Sequence, residues 1–476
     1  MNMKNAKMSA RERIEYLLDE QSFVEIGSLV EARNTDYNLG AKKVQGDGVI
    51  TGYGLLNGRM VCVYSQDSAA LGGSVGEMHA RKIVRLYDMA MDMGVPVISM
   101  MDSAGLRLQE GGDALWAFGT IFARQAKASG RIPQICAVLG PCGGGSAVMA
   151  SLSDFILMEK ENGALFVNSP NVLDGNTAEK LDTSGWEYQA KQAGSVDFAC
   201  DTEEELLDQL RILADLLPSD YEAGDTVFEC TDDLNRIIPE LNDSEYDARY
   251  LLSSIADDGL FVETKKMYGA DMVTALIRLN GETVGAVAVQ PQDGIGQLGV
   301  HGLKKVEKFI RFCDAFSLPV LTVTDVRGMK AEEAEEREMA AALAGFVSAL
   351  SESTVPKVNL ITGEAFGTAG IVMNSRAVGA DFVLAWPEAS VGMMDAEQAV
   401  RIMYAGEIGG SADQTALIAE KTREYQEMQS SALAAAKRGY VDDIIVPDAT
   451  RKRLIMAFEM LEGKRQLRDS KKHAAV

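Results

Sequence analysis

The sequence predicts an α/β protein built from two homologous halves, each a stacked ββα spiral. Three observations predict it. The first is Leu139-Gly140-Pro141-Cys142-Gly143-Gly144-Gly145-Ser146, which follows the apolar run Ile135–Leu139 and precedes the apolar stretch Ala147–Leu152. It reads as a strand, a tight turn and a helix. The second is an internal repeat. Gly363-Glu364-Ala365-Phe366-Gly367-Thr368-Ala369-Gly370 stands 223 positions after Gly140, and the same offset relates Pro96-Val97-Ile98 to Pro319-Val320-Leu321, Asp102–Gly105 to Asp325–Gly328, Pro133-Gln134 to Pro356-Lys357 and Asn57-Gly58 to Asn280-Gly281. Several matches at one offset mark a duplication. The third is that a pair of short strands precedes the long helix in each half, which a Rossmann sheet does not require.

Composition sets the outer bounds. A chain of 476 residues suggests about three domains by length alone. The duplication argues for two, expected at 1–233 and 234–476, with the Pro-, Gly-, Ser- and Asp-rich stretch Pro218–Asp233 as linker. No run of eighteen apolar residues occurs, and Met1–Arg13 has no apolar signal core, so a cytoplasmic protein is expected, with a peripheral place on a membrane complex left open. The six cysteines form no Cys-x-x-Cys pair and the three histidines are scattered, so no metal is expected. A net charge of −24 speaks against nucleic acid as a partner.

In chain order, Ser9–Glu20 reads as an amphipathic helix capped by Ser9, with Ile14, Leu17 and Leu18 on its apolar side. Val49–Gly54 and Met60–Tyr64 read as paired strands joined by the turn Leu55–Arg59. After Gly72-Gly73 a helix runs from about Ser74 to Met93 and ends at Gly94-Val95-Pro96. Val97–Met101 is a buried strand that delivers Asp102-Ser103-Ala104-Gly105. Phe166–Asp174 and Thr177–Ala193 look irregular, and Thr202–Leu217 is a helix with an acidic start. The second half repeats the scheme: strands Met272–Leu279 and Thr283–Val289, helix Leu303–Phe316, strand Val320–Thr324, helix Ala331–Leu350, strand Val358–Thr362, one long helix Gln414–Arg438 and a charged tail after Lys464.

A turn of three glycines lets backbone N–H groups approach a ligand, and at a helix start such groups lack internal partners. The residues around these turns carry a resemblance. Gly46-Asp47-Gly48-Val49-Ile50-Thr51-Gly52-Tyr53-Gly54, Ser65-Gln66-Asp67, Gly140-Pro141-Cys142 with its glycines, and Arg311-Phe312-Cys313-Asp314-Ala315-Phe316 together resemble the carboxyltransferase subunits of biotin-dependent acyl-CoA carboxylases and decarboxylases. The resemblance runs from about Met8 to Gly463. It implies two crotonase-like domains, an acyl-CoA side in 1–233 and a biotin side in 234–476. It implies transfer of a carboxyl group between biotin, carried on another chain, and an acyl-CoA of the propionyl-/methylmalonyl-CoA type.

Carried over by position, Ala104, Gly105, Gly144 and Gly145 would hold the thioester enolate, and Gly367, Thr368 and Ala369 would hold biotin. Candidate substrate contacts are Gly72, Gly73, Ile371 and the cations Arg107, Lys42 and Lys43, with Lys304 and Lys305 also considered for the anionic coenzyme. The implied partners are acyl-CoA, a biotin carboxyl carrier protein, and biotin carboxylase or membrane decarboxylase subunits, in a homo-oligomer (dimer or hexamer). Three departures from the family pattern stand out: Ala104 and Leu106 within Asp102–Arg107, Thr368-Ala369-Gly370-Ile371 in the second turn, and the acidic stretch Met329–Glu336. Asp102 and Asp325 admit an acid–base reading, but they lie in different halves, and a strand-end Asp more often caps a turn. Three functions therefore remain open: a carboxylase subunit, the α subunit of a sodium-pumping decarboxylase, and a non-catalytic CoA-binding or assembly subunit.

Overall fold

A computed structural model describes residues 7–33, 37, 44–220, 228–242, 247–291, 296–464 and 466. The chain divides into two compact units, Met1–Thr226 and Val227–Val476. The division falls inside the 218–233 stretch, ahead of the 233/234 boundary expected from the sequence. Lys42, Lys43 and most of the charged tail lie outside the described residues.

The first unit contains strands β1 (Val24–Ile26), β2 (Val49–Leu56), β3 (Arg59–Gln66), β4 (Val97–Ser103), β5 (Gln134–Gly143), β6 (Phe155–Glu159), β7 (Ala164–Phe166) and β8 (Phe198–Cys200). Its helices are α1 (Ala10–Leu17), α2 (Glu77–Met93), α3 (Gly112–Ala128), α4 (Gly145–Ser151), α5 (Asn176–Glu179), α6 (Trp186–Lys191) and α7 (Glu203–Leu216). The strands form one sheet in the order β1-β2-β3-β4-β5-β6-β8, with β7 beside β5. The β2–β3 pair is antiparallel and turns at Asn57-Gly58, both at positive φ (50° and 78°). That conformation suits the right-handed twist of a hairpin and selects Asn-Gly. From β3 onward the pairs β3–β4, β4–β5 and β5–β6 are parallel, and all seven residues of β4 are buried.

Local sequence explains the helix ends. Ser9 and Glu12 close a reciprocal capping box at the start of α1. Gly94 takes the left-handed conformation at φ 62° that stops α2, and Pro96 follows it. The core of this unit packs Tyr64, Ile83, Leu86, Tyr87, Ile121 and Val138 between the helices and the sheet. Burial of one such side chain contributes about 1.5–3 kcal/mol.

The second unit contains β9 (Phe261–Thr264), β10 (Met272–Leu279), β11 (Glu282–Val289), β12 (Gln297–Leu298), β13 (Val320–Val326), β14 (Gly328–Met329), β15 (Lys357–Phe366), β16 (Phe382–Ala385), β17 (Ser390–Gly392) and β18 (Asp443–Ile444). Its helices are α8 (Ala248–Ile255), α9 (Val300–Ala315), α10 (Glu333–Glu352), α11 (Gly367–Val372), α12 (Ala396–Met403), α13 (Ala405–Gly410), α14 (Gln414–Tyr425), α15 (Ala432–Lys437) and α16 (Thr450–Leu461). The main sheet has the order β18-β16-β15-β13-β11-β10-β9, with β17 beside β15. Read backwards, this is the order of the first unit. The strands β10, β11, β13 and β15 each begin 223 positions after β2, β3, β4 and β5. Both units therefore share one ββα architecture, as the repeat predicts.

Two expectations are corrected. Thr177–Ala193, expected to be irregular, carries the end of α5 and all of α6. The long helix over 414–438 is broken into α14, a wide π turn at Gln426–Ser430, and α15. Ser431 is extended (φ −67°, ψ 154°) and its hydroxyl accepts the Ala434 N–H, so it caps a new helix.

Candidate active site

The first-unit candidates meet at the carboxyl ends of the parallel strands β4 and β5, where open α/β sheets place ligands. The loop after β4 is laced to the Gly72-Gly73 turn by backbone bonds. Ala104 N–H donates to the Gly72 carbonyl (2.9 Å), Val75 N–H to Gly105 (2.8 Å) and Arg107 N–H to Val75 (3.0 Å). The Ser103 hydroxyl donates to the Gly73 carbonyl (2.7 Å) and accepts the Gly105 N–H (3.0 Å). A Cβ at Gly73 would lie 2.3 Å from the Asp102 carbonyl oxygen, so only glycine allows this approach.

The second loop leaves β5. Gly144 has φ 58° and ψ −121°, a region open only to glycine. Its N–H donates to the Phe166 carbonyl at 2.9 Å. Gly145 opens α4, and first-turn N–H groups have no intrahelical acceptor. A Cβ on Gly105 would stand 3.7 Å from the Gly143 carbonyl oxygen, so the two loops touch. The structure thus brings Gly72, Gly73, Ala104, Gly105, Gly144 and Gly145 together. It also narrows the donors: the N–H groups of Ala104, Gly105 and Gly144 are engaged within the protein, which leaves Gly145 at the helix start as the open one of the four.

In the second unit the remaining candidates share one short helix. Gly367, at φ 56°, begins α11; Thr368 and Ile371 are exposed, and Ala369 is buried. The loop after β13 repeats the lacing of the first unit. Arg327 N–H donates to Gly296 (2.7 Å) and Lys330 N–H to Leu298 (2.9 Å). A Cβ at Gly296 would lie 2.3 Å from the Asp325 carbonyl oxygen, as at Gly73.

The candidate cations are placed differently from the sequence reading. Arg107 is 2% exposed, and its guanidinium bonds Asp47, Glu110 (2.9 Å) and the Ser74 carbonyl (2.6 Å). Its charge is spent inside the unit, where it ties the β4 loop to the start of α2. Lys305 is 3% exposed, and its ammonium donates to the carbonyls of Tyr268 (2.7 Å), Gly269 (2.9 Å) and Lys265 (3.4 Å). Burial pushes its pKa down to about 8. Lys304 is exposed and paired with Glu338. Neither Arg107 nor Lys305 presents a charge at the surface, because each neutralises a buried polar cluster.

Among the described residues no side chain near the first turn is set up as a nucleophile or general base. His79 is fully buried, and burial drives its pKa down to about 3. Burial likewise pushes the Cys142 thiol well above its usual range. The Ser146 hydroxyl is buried without a hydrogen-bond partner. Among the described residues no group of three or more His, Cys, Asp or Glu side chains is placed to hold a metal.

The sequence reading missed the charges beneath the β4 loop. Arg13 of α1, 1% exposed, donates from Nε and Nη2 to Glu203 (2.9 and 2.6 Å) and from Nη1 to Asp102 (3.1 Å). Ala10, Arg13, Ile14 and Leu17 form the buried face of α1. An arginine at an i, i+3, i+4, i+7 position of an apolar stripe is a legible signal of a buried pair.

Set beside known proteins, the carboxyl transferase domain model matches residues 1–476. The chain belongs to the carboxyl transferase family. It is 40% identical over 478 residues to the propionyl-CoA carboxylase beta chain of Roseobacter denitrificans, covering 98% of this chain and 93% of that protein. It is 39% identical over 483 residues to the methylmalonyl-CoA decarboxylase subunit alpha of Propionigenium modestum, covering 99% of this chain and 93% of that protein. Among solved structures, the transcarboxylase 12S hexamer crystallised with methylmalonyl-coenzyme A and methylmalonic acid matches with a TM-score of 0.92 at 35% identity, over 98% of this chain and 92% of that one. By family this chain is an enzyme, a carboxyltransferase.

Proposed function

We propose that this carboxyltransferase moves a carboxyl group between biotin, carried on another chain, and an acyl-CoA of the propionyl-/methylmalonyl-CoA type. The observation that carries the reading is the glycine turn opening α4. It sets a helix-start N–H at Gly145 beside the loop of Ala104 and Gly105, with nothing within 4 Å of a Cβ built on Gly144. A thioester oxygen lying there would meet a backbone donor and open space. The names of the two relatives and the methylmalonyl-coenzyme A bound to the transcarboxylase support the acyl class.

In this reading the first unit is the acyl-CoA side and the second the biotin side. Gly145 N–H stabilises the enolate oxygen as the α carbon loses a proton or its carboxyl group. A pre-organised donor of this kind is worth about 3–4 kcal/mol of barrier. The α11 start, with Gly367 and Thr368, fits a ureido oxygen: a Cβ on Gly367 would lie 3.2 Å from the Met393 carbonyl oxygen, so the bare backbone leaves the room. Ile371 and Met393, 54% and 78% exposed, offer apolar contact to the rest of a biotin ring. When bound, carboxybiotin supplies the carboxyl group or biotin receives it. Buried, neutral His79 and unpartnered Ser146 have no part in the chemistry.

The partners proposed are a biotin carboxyl carrier protein and either a biotin carboxylase or membrane decarboxylase subunits. A cytoplasmic location is proposed with them; among the described residues no helix is long and apolar enough to cross a membrane. A homo-oligomer is proposed on Leu108, Leu115 and Trp116, which are 78%, 66% and 77% exposed around the start of α3. An apolar cluster of that kind marks a protein interface. Light scattering at micromolar concentration is expected to show at least a dimer, burying more than about 2,000 Å²; a monomer overturns it. The activity is tested by incubating the protein with methylmalonyl-CoA and free biotin. Propionyl-CoA formation that depends on biotin supports the reading. Binding of the coenzyme ester without exchange favours a non-catalytic subunit instead.

A further inference from the structure

The two units hold their strand-end aspartates by different means. In the second unit, Oδ1 of Asp325 accepts the Glu364 N–H at 2.9 Å. Glu364 follows Gly363, whose Cβ would lie 2.4 Å from that same oxygen. In the first unit a Cβ on Gly140 would likewise meet Oδ1 of Asp102, at 2.1 Å. The next residue there is Pro141, which has no N–H to give. Oδ1 of Asp102 is accordingly buried with no partner. The other oxygen, Oδ2, is heavily held: it accepts Arg13 Nη1 (3.1 Å), Ser68 Oγ (3.0 Å) and Lys7 Nζ (2.8 Å). Arg13 is itself fixed by two bonds to Glu203 of α7. Among the described residues no cation forms an ion pair with Asp325.

We propose that Arg13 is a positioning residue for the first glycine site. From α1 it holds the Asp102 carboxylate through Oδ2, together with Ser68 and Lys7, where the second unit holds its aspartate by a backbone N–H on Oδ1. The proposal rests on the functional reading above. Asp102 is the residue from which the Ser103–Gly105 loop departs, and its own carbonyl oxygen sits against Gly73. Oδ1 of that carboxylate packs against Gly140 of β5, so fixing it fixes the approach of β4 to β5, the two strands whose ends carry Gly105 and Gly143. Arg13 touches no substrate in this scheme and acts only through Asp102. Glu203 keeps its guanidinium from turning away, since Nε and Nη2 are both committed. A bidentate guanidinium pair of this kind fixes orientation in a way a lone ammonium does not.

The test is the methylmalonyl-CoA and biotin exchange assay on the full-length chain. It compares wild type, Arg13→Gln, Arg13→Lys and the double variant Arg13→Gln/Pro141→Ala. Displacing a site by about 1 Å from afar can cost about 100-fold, so Arg13→Gln is expected to lower kcat roughly 10–100-fold. KM for methylmalonyl-CoA should hold within about twofold, as for an interaction felt only in the transition state. Arg13→Lys, which retains one charged donor, should recover part of kcat. Pro141→Ala restores an N–H facing Oδ1 and should recover part of kcat in the Arg13→Gln background. A merely structural arginine would not be rescued from a different strand. If Arg13→Gln does not fold, Arg13→Lys with and without Pro141→Ala carries the same comparison.

Folded Arg13→Gln with wild-type kcat overturns the proposal. So does a loss that Pro141→Ala leaves untouched while thermal stability recovers. Should wild type show no exchange at all, the functional reading falls on its own. The clamp is then read from hydrogen exchange: Arg13→Gln must speed exchange at the amides of Ala104 and Gly105, and unchanged rates overturn it.

Discussion

The two units of this chain share a buried polar scaffold and differ at the strand ends above it. In each, an Asn-Gly hairpin turn is held by one aspartate: Asp19 accepts the N–H groups of Asn57 and Gly58, and Asp257 those of Asn280 and Gly281. In each, a buried lysine fills a ring of carbonyls, Lys82 on Gly46 and Val49, Lys305 on Lys265, Tyr268 and Gly269. Arg107 pairs with Asp47 as Lys330 does with Asp271, and Glu110 accepts the Glu77 N–H as Glu335 accepts that of Val300. These devices satisfy backbone groups that a ββα spiral buries whatever it binds. The differences fall at Pro141 against Glu364, Gly145 against Thr368 and Ser146 against Ala369. A duplicated fold thus keeps what folding requires and varies what a ligand sees.

The largest expected effect breaks this comparison at Gly145. A Cβ there would lie 2.9 Å from the Phe118 ring, which is itself buried. Gly145→Val must shift the ring or the turn and is expected to lower exchange about 10²–10³-fold, the cost of one lost oxyanion donor. Gly367→Ala in the other unit meets one carbonyl oxygen at 3.2 Å and a φ of 56°. It carries about 1–2 kcal/mol of backbone strain and should cost less rate. Exchange kinetics on variants shown to be folded decide it; equal losses would mean the two turns do the same work.

Next comes stability at the paired aspartates. Asp102→Asn removes a buried charge from Arg13, and losing one partner of a buried pair costs about 3 kcal/mol or more. Among the described residues Asp325 has no such partner. Burial raises its pKa against the opposing pull of the Glu364 N–H and Arg327, so ionisation works against folding. Its contribution is fully present below the unfolded value near 3.8 and is lost as pH rises through the folded value. Asp325→Asn should therefore be neutral or stabilising at pH 7 and should flatten the decline in stability just above pH 3.8. Thermal unfolding of both variants across pH 4–8 checks the contrast; equal destabilisation at pH 7 would sink it.

Much of this was legible in the sequence. The constant offset gave both sheets, because strand spacing and hairpin turns are local and survive duplication. The glycine turns were legible because positive φ leaves only glycine. What escaped was long-range pairing. Nothing near Arg107 in the sequence points to Asp47, sixty positions earlier, so a buried strut looked like a surface cation. The engagement of Gly144 N–H by Phe166 depends on β7 docking beside β5, and a three-residue strand has no pattern of its own. The break at Ser431 was hidden because its neighbours are strong helix formers and its cap works only from an extended backbone.

A smaller effect is expected at the caged lysines. Lys305→Met strands three carbonyls, and leaving buried polar groups unmade costs about 1–3 kcal/mol. Lys82→Met strands two and should cost less. The lowered pKa of Lys305, about 8, carries a further sign. The folded state binds this proton less tightly than the unfolded chain, so stability from this group rises between about pH 8 and 10.5. Lys357, also lowered to about 8 by burial, adds to the same rise. The Lys305→Met variant should show a shallower rise than wild type in denaturant unfolding over that range. An unchanged slope would place the ammonium in water rather than in its cage.

The smallest expected effect is at Ser146, and it separates the backbone-donor reading from a serine nucleophile. A nucleophilic serine needs a base within hydrogen-bond reach. Among the described residues the Ser146 hydroxyl has no hydrogen-bond partner, and buried His79 is bonded to the Asp47 carbonyl at 2.9 Å. A hydroxyl buried without a partner costs folding about 1–3 kcal/mol relative to an apolar group. The residue 223 positions later is Ala369, in the first turn of α11 as Ser146 is in that of α4, with 2% exposure. Ser146→Ala therefore makes the first unit like the second at a position where the second already manages without oxygen. The variant should keep its exchange rate within about twofold, since its N–H is retained. It should melt at the same temperature or slightly higher. Loss of exchange with the melting temperature unchanged would return the chemistry to the side chain and leave the turn glycines with a purely steric role.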